Sequence, residues 1–387
     1  MKKNKNKKKL AILQVCSFLL GAQGALVAYV MSSFLKKYSG LDNAGFFYLI
    51  SYLLAFLVLL KLHHFVKLIG KYRLFFIFLS MEALALFLAA FVNVPYLKAF
   101  FAVIFLFSSP ITWTLLDLLI ESFSQDKKTG EIRGANLTAL NTGWLIATVA
   151  SISILSITGS YLIVFAIPSI FSLSALAIVW RNLRKEKERK VARDFSLITV
   201  IKRIKERKNV WRIYLISLSL EFFYAIMIVY VPIHLLAEGF AWREIGWIFT
   251  VMLLPFILIQ YPLGLLADKK TGEKEILILA VLLLGVTMGI IPFINAGSII
   301  VWMVVLFVSR VGAAAVEVLR DSYFYKQVDS GDADLIDFFR TARSVGNILA
   351  MGLAVMLFGF GLKWIFLISA LLVLFNVFPA LKLKDTK

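Results

Sequence analysis

Between residues 10 and 381 the chain alternates long apolar runs with short polar joints. Runs of about 18 to 25 residues fall at 10–35, 44–62, 72–93, 96–119, 134–158, 161–180, 211–236, 244–266, 275–295, 298–320, 341–360 and 363–381. Each is long enough to cross ~30 Å of hydrocarbon at ~1.5 Å per helical residue. In lipid the backbone must satisfy its own hydrogen bonds, and these runs are too long for barrel strands, so they are predicted to be helices. The pattern predicts an all-α integral membrane protein with about twelve spans.

The runs repeat. VIFLFSSPITWTLLDLLIESF at 103–123 lies over MVVLFVSRVGAAAVEVLRDSY at 303–323, matching Asp117 with Glu317, Glu121 with Asp321 and Ser122 with Ser322. Gly45 matches Gly246, Tyr29 matches Tyr230, Gly70 matches Gly272 and Gly143 matches Gly346 at offsets of 201 to 203. An even number of spans per half makes the halves enter the membrane in the same direction, as parallel repeats. The expected organisation is a six-helix unit at 1–180, a basic linker at 181–210 and a second six-helix unit at 211–387. Phe195, Leu197, Ile198, Val200, Ile201 and Ile204 among the linker's basic residues suit an amphipathic helix on anionic headgroups; a solvated tether suits them equally well.

Composition agrees: 60% of the 387 residues are hydrophobic and 17% charged, with mean hydropathy +0.86, whereas soluble domains are about half apolar and a quarter charged. The net charge of +19 first suggests nucleic acid, but its placement points to topology instead. With the N-terminal tail taken as cytoplasmic, 36 of the 42 lysines and arginines fall on the inside segments. The outside loops hold only Lys36, Lys37, Lys98, Arg243 and Lys363, and Arg310 lies within a run. This asymmetry predicts both termini in the cytoplasm and no nucleic-acid partner. MKKNKNKKKL opens like a secretory signal, but the run after it is too long and lacks a small-residue cleavage site, so it is expected to be a retained first span. Cys16 stands alone, and His63, His64 and His234 are expected at span ends as interfacial anchors; no metal, cofactor or catalytic constellation is expected.

The joint PLGLLADKKTGEKE at 262–275 is the most distinctive. Gly264, Leu266, Ala267, Asp268, Lys269, Gly272 and Lys274 resemble the G-x-L-a-D-(R/K)-x-G-(R/K) loop signature of the major facilitator superfamily, with Thr271 making the loop one residue longer. In the first half, HHFVKLIGKYR at 63–73 keeps Gly70, Lys71 and Arg73 but has Lys67 where the aspartate belongs. The resemblance implies two pseudo-symmetric six-helix bundles that rock so that a shared site opens to one side at a time. It also implies that Asp268 helps lock one of those states, with Gly264, Lys269 and Gly272 shaping the loop. Asp117 with Glu121, and Glu317 with Asp321, are i, i+4 pairs on one helix face. Opposite Arg133, and Arg340 or Arg343, they would make a cytoplasmic gate of ion pairs; permanent anchoring at the headgroups is the alternative.

Ionisable groups at mid-membrane are expensive, so each asks for a role. Glu221 and Arg310 each lie ten residues from the cytoplasmic end of a run, about 15 Å deep. They are expected to pair around substrate, or Glu221 to carry a coupling proton; a structural ion pair is the alternative. The resemblance makes the first, fourth, seventh and tenth spans cavity-lining, which brings in Gln23, Tyr29, Thr112, Trp113, Tyr224 and Tyr230, with Asn141 and Asn347 as further polar groups at suitable depth. Glu82 in the third span is expected to make a buried structural contact. Pro110 stands where many relatives carry a cavity arginine, and the Gly-Pro signature of drug antiporters is missing from the fifth run.

The expected function is secondary active transport of a small solute by alternating access, coupled to protons, as either efflux or uptake. A monomer in a prokaryotic inner membrane is expected. A polytopic membrane enzyme, which would need a polar cluster at a membrane face, and a solute sensor that kept the fold remain as alternatives.

Overall fold

A computed structural model describes residues 2–123, 129–183, 203–204, 206–267, 272–294, 297–328 and 332–384. All regular structure among the described residues is helical. Among the described residues eleven helices are long and apolar enough to cross a membrane, or twelve when Gly45–Leu60 and Leu62–Ile69, bent by 60° at the break between them, count as one span. In chain order the spans are Lys2–Ala28, that bent pair, Lys71–Phe91, Pro95–Phe123, Thr129–Thr158 and Tyr161–Leu183, then Lys208–Ala237, Trp242–Leu258 with Gln260–Leu266, Lys274–Ile290, Ile299–Lys326, Ala333–Leu357, and Leu362–Phe375 with Val377–Leu381.

Several boundaries differ from those expected. The first run breaks after Ala28 and resumes as Met31–Ser39. The eighth breaks at Ile259 because Pro262, in the first turn of the next helix, has no N–H to give the Leu258 carbonyl. Pro379 does the same for Phe375 in the twelfth. The tenth runs on to Lys326, six residues past its expected end, and this places Arg320 inside the span.

The chain divides into two compact units, Met1–Asp194 and Phe195–Lys387. Within the first, the first span packs on the fifth and sixth, the third on the fourth and sixth, and the second on the fourth. Within the second, the seventh packs on the eleventh and twelfth, the ninth on the tenth and twelfth, and the eighth on the tenth. The repeat in the letters is therefore a repeat in packing. The matched glycines mark the same crossing in each unit. A Cβ on Gly143 would collide with the Phe18 carbonyl of the first span, and one on Gly346 would come within 2.8 Å of Glu221 Cβ and 2.9 Å of the Leu218 carbonyl of the seventh. Only glycine lets these backbones approach so closely.

Leu13, Cys16, Phe75, Leu79, Leu115 and Val179 belong to one buried cluster of the first unit. Leu57, Ile157, Met356 and Phe375 are exposed on outward faces. Such faces would be a liability in water but match a hydrocarbon solvent.

Candidate functional site

The joints before the third and ninth spans are built alike. Gly70 and Gly272 both take positive φ, 95° and 75°, a conformation that costs glycine nothing. The next residue ties each joint to the fourth or the tenth span: Lys71 Nζ donates to Ser122 of the fourth, and Ser322 Oγ of the tenth donates to Glu273 Oε1 at 2.8 Å. Lys326 Nζ adds an ion pair to the fully buried Glu273 at 2.5 Å. Sequence reasoning misses Glu273 because the superfamily signature draws attention to Asp268; its position beside Gly272, matching Lys71 beside Gly70, is the available signal. Asp268 and Lys269 lie outside the described residues, as does the side chain of Arg133. Gly264 faces the tenth span, but a Cβ there would sit 3.6 Å from Val318 Cγ1, an ordinary contact, so close approach does not explain this glycine.

The polar centre of the second unit corrects the expected pairing. Glu221 accepts from Arg320 Nη2 at 2.9 Å, not from Arg310. Arg320 Nη1 also donates to Ser217 Oγ at 2.8 Å, so one guanidinium binds two positions a turn apart on the seventh span. In the sequence Arg320 is the last residue of the tenth run, and the greater length of the tenth helix places it six residues inside the span. Measured from Lys208 and Lys326, Glu221 lies thirteen residues in and Arg310 sixteen, so the equal depth inferred from run ends does not hold.

Glu317 accepts from Gln260 Nε2 of the eighth span at 2.9 Å, rather than from Arg340 or Arg343. Its i+4 partner Asp321 stands 3.5 Å from Arg320 Nε. Arg340 is half-buried on the eleventh span and Arg343 exposed. The ionic cluster thus joins the seventh, eighth and tenth spans. In the first unit the corresponding Asp117 and Glu121 are exposed.

Arg310 is 1% exposed, and its Nε and Nη1 have no hydrogen-bond partner. Its guanidinium carbon lies 5.3 Å from the Phe223 ring centre and 5.6 Å from that of Tyr224, within cation–π range of both. The Tyr224 hydroxyl and Ser309 Oγ are likewise buried without partners. An unsatisfied cation beside an unsatisfied phenol makes a pair of donors that fits an acceptor group on a ligand. An open cavity of about 590 Å³ lies elsewhere, among Arg207, Lys208, Arg212 and Lys384 at the span ends.

The first unit has its own polar centre, where Gln23 Nε2 lies 2.5 Å from Glu82 Oε2, both residues buried. Tyr29 is buried, and Trp113 is half-buried against the hydrophobic cluster. Asn347 is half-buried and Asn141 exposed.

Comparison with known proteins agrees with this architecture. The model of the Major Facilitator Superfamily matches residues 13–318 and again 239–387. Similar solved structures include a point mutant of the nucleoside transporter NupG, with TM-score 0.69 and 16% identity over 97% of this chain and 100% of that one. An auto-inhibited peptide transporter of the POT family aligns with TM-score 0.72 and 12% identity over 97% of this chain and 96% of that one. At such identities the likeness is one of fold. No curated protein matches in sequence. With eleven or twelve apolar spans among the described residues, a packing pattern that repeats from one unit to the other and a family match over nearly the whole length, this chain belongs to the Major Facilitator Superfamily.

Proposed function

We propose that this protein is a proton-coupled secondary transporter of the cytoplasmic membrane, moving a small solute by alternating access with both termini and the 181–210 linker in the cytoplasm. Arg310 carries the proposal. A guanidinium buried at membrane depth with two nitrogens that make no hydrogen bond keeps part of its desolvation cost, and a ligand acceptor delivered to it would satisfy those donors. Tyr224 offers a further donor to the same ligand, and the faces of Phe223 and Tyr224 hold the cation while the site is empty.

Glu221, Arg320, Glu317, Asp321 and Gln260 form the switch on this reading. Their bonds tie the seventh, eighth and tenth spans in one arrangement, and opening the Glu221–Arg320 pair frees Glu221 to take a proton. The asymmetric charge supports the orientation. The test is a thermal-shift screen of small solutes on purified protein, followed by counterflow of the hits in proteoliposomes. Hits should carry a hydrogen-bond acceptor or anionic group, and Arg310→Gln should abolish both their thermal shift and their exchange. Solutes that bind without any counterflow would make the protein a sensor, and binding that survives Arg310→Gln would remove Arg310 from the site.

A further inference from the structure

Glu82 lies eleven residues into the 21-residue third span, about 16 Å from its start, and is 1% exposed. Its surroundings suit a carboxylic acid better than a carboxylate. An ionised carboxylate is acceptor-only, with about four lone-pair sites to satisfy. Here Oε2 accepts from the Gln23 amide at 2.5 Å, and Oε1 meets no hydrogen-bond geometry with any described group. Thr112 stands beside the carboxyl from the fourth span, with one O–H to divide between Glu82 and the Ser108 carbonyl, which lies at 3.2 Å.

Gln23 Oε1 is also buried without a partner. The two ends of an amide have the same shape, so turning Gln23 by 180° places its oxygen against Glu82 Oε2. A separation of 2.5 Å belongs to the O–H···O range and is short for N–H···O. The acid then donates to Gln23.

Among the described residues no cation stands near enough to offset a charge. On the spans packed against the third, the charged groups sit towards the ends: Lys98, Asp117 and Glu121 on the fourth, Arg181 on the sixth, and His63, His64 and Lys67 on the short helix preceding the third. The first span, which supplies Gln23, has Lys7, Lys8 and Lys9 near its start, Cys16 seven residues before Gln23, and Tyr29 six after. Tyr161 opens the sixth, and Lys71 and Arg73 open the third itself. None of these contacts Glu82, whose partners are Gln23 and Thr112.

We propose that Glu82 is a proton-binding site. It holds a proton at neutral pH in the conformation described and releases it to water, leaving a carboxylate, when the first and third spans part and Gln23 is withdrawn. The binding of the proton stands on the geometry of the first unit alone; its use in coupling rests on the transport reading.

Infrared difference spectroscopy on the full chain in lipid vesicles tests this. Between wild type and Glu82→Gln at neutral pH, one carboxylic-acid carbonyl band should be present in the first, absent in the second, and shifted in deuterated water. No lost band means an ionised Glu82 and overturns the proposal. Gln is the neutral isostere and keeps a partner for Gln23; should that variant fail to fold, alkaline titration of the wild type supplies the same readout, with the band bleaching as pH rises. A band that neither bleaches nor exchanges its proton marks a sealed structural acid, which also overturns the proposal. A protein that shows the band and its titration but moves no solute refutes the transport reading and leaves the proton site standing.

Discussion

Single residues divide here into those whose charge is matched and those whose charge is not, and the two groups should respond oppositely to removal. Arg320 and Glu221 are matched at 2.9 Å with each side chain 12% exposed. Arg320→Met leaves Glu221 buried without its counter-ion and is expected to cost about 3–5 kcal/mol, read as a fall in thermal stability in detergent. Adding Glu221→Gln should recover most of the loss, and a double variant as unstable as the single would show that the pair is not what joins the seventh and tenth spans. Arg310 is unmatched. Arg310→Met should abolish solute binding yet leave stability unchanged or raise it by about 1 kcal/mol, because two buried donors without acceptors are removed; a large fall in melting temperature would assign Arg310 a structural role. The sequence identifies Glu221 and Arg310 as costly in the membrane but pairs them with each other. A charge in an apolar run is visible from the letters, whereas its partner depends on helix rotation and on where each helix ends.

At the scale of elements, glycine and proline set the interruptions and the crossings. Gly346 and Gly264 make a matched pair of tests on two helices of the same unit. Gly346→Ala places a methyl within 2.8 Å of Glu221 Cβ and within 3.0 Å of seventh-span backbone, so it should cost about 1–3 kcal/mol of stability. Gly264→Ala meets only Val318 at 3.6 Å and should change stability by no more than about 0.5 kcal/mol. Equal melting temperatures for the two would remove the close crossing of the seventh and eleventh spans. Helix existence was legible because runs of this length and hydropathy have one stable form in lipid. The ends were less so. The six residues from Asp321 to Lys326 are polar enough to read as loop, yet they continue the tenth helix, with Ser322 and Lys326 held on Glu273.

For the whole molecule, the prediction concerns topology. Single cysteines placed in the N-terminal tail, in the 181–210 linker and near the C-terminus, in a Cys16→Ala background, should all label from the same side of intact cells, opposite to a cysteine at position 363. Any split among the first three would overturn the orientation drawn from the charge asymmetry. Arg203 and Arg207 in the linker hold Asp332, ahead of the eleventh span, at 2.8 and 2.6 Å, so the described end of the linker is fastened to the second unit. The sequence by itself determined the membrane class, the number of spans, the repeat and the superfamily signature, because hydropathy, run length and internal offset are properties of the chain read in order. The tertiary structure alone decided which polar groups meet: Arg320 rather than Arg310 on Glu221, Gln260 on Glu317, Ser322 and Lys326 on Glu273, and Gln23 on Glu82. Each of these contacts joins residues some fifty to a hundred positions apart, and a side chain of fixed reach selects its partner by the distance and rotation of packed helices, which no local pattern records.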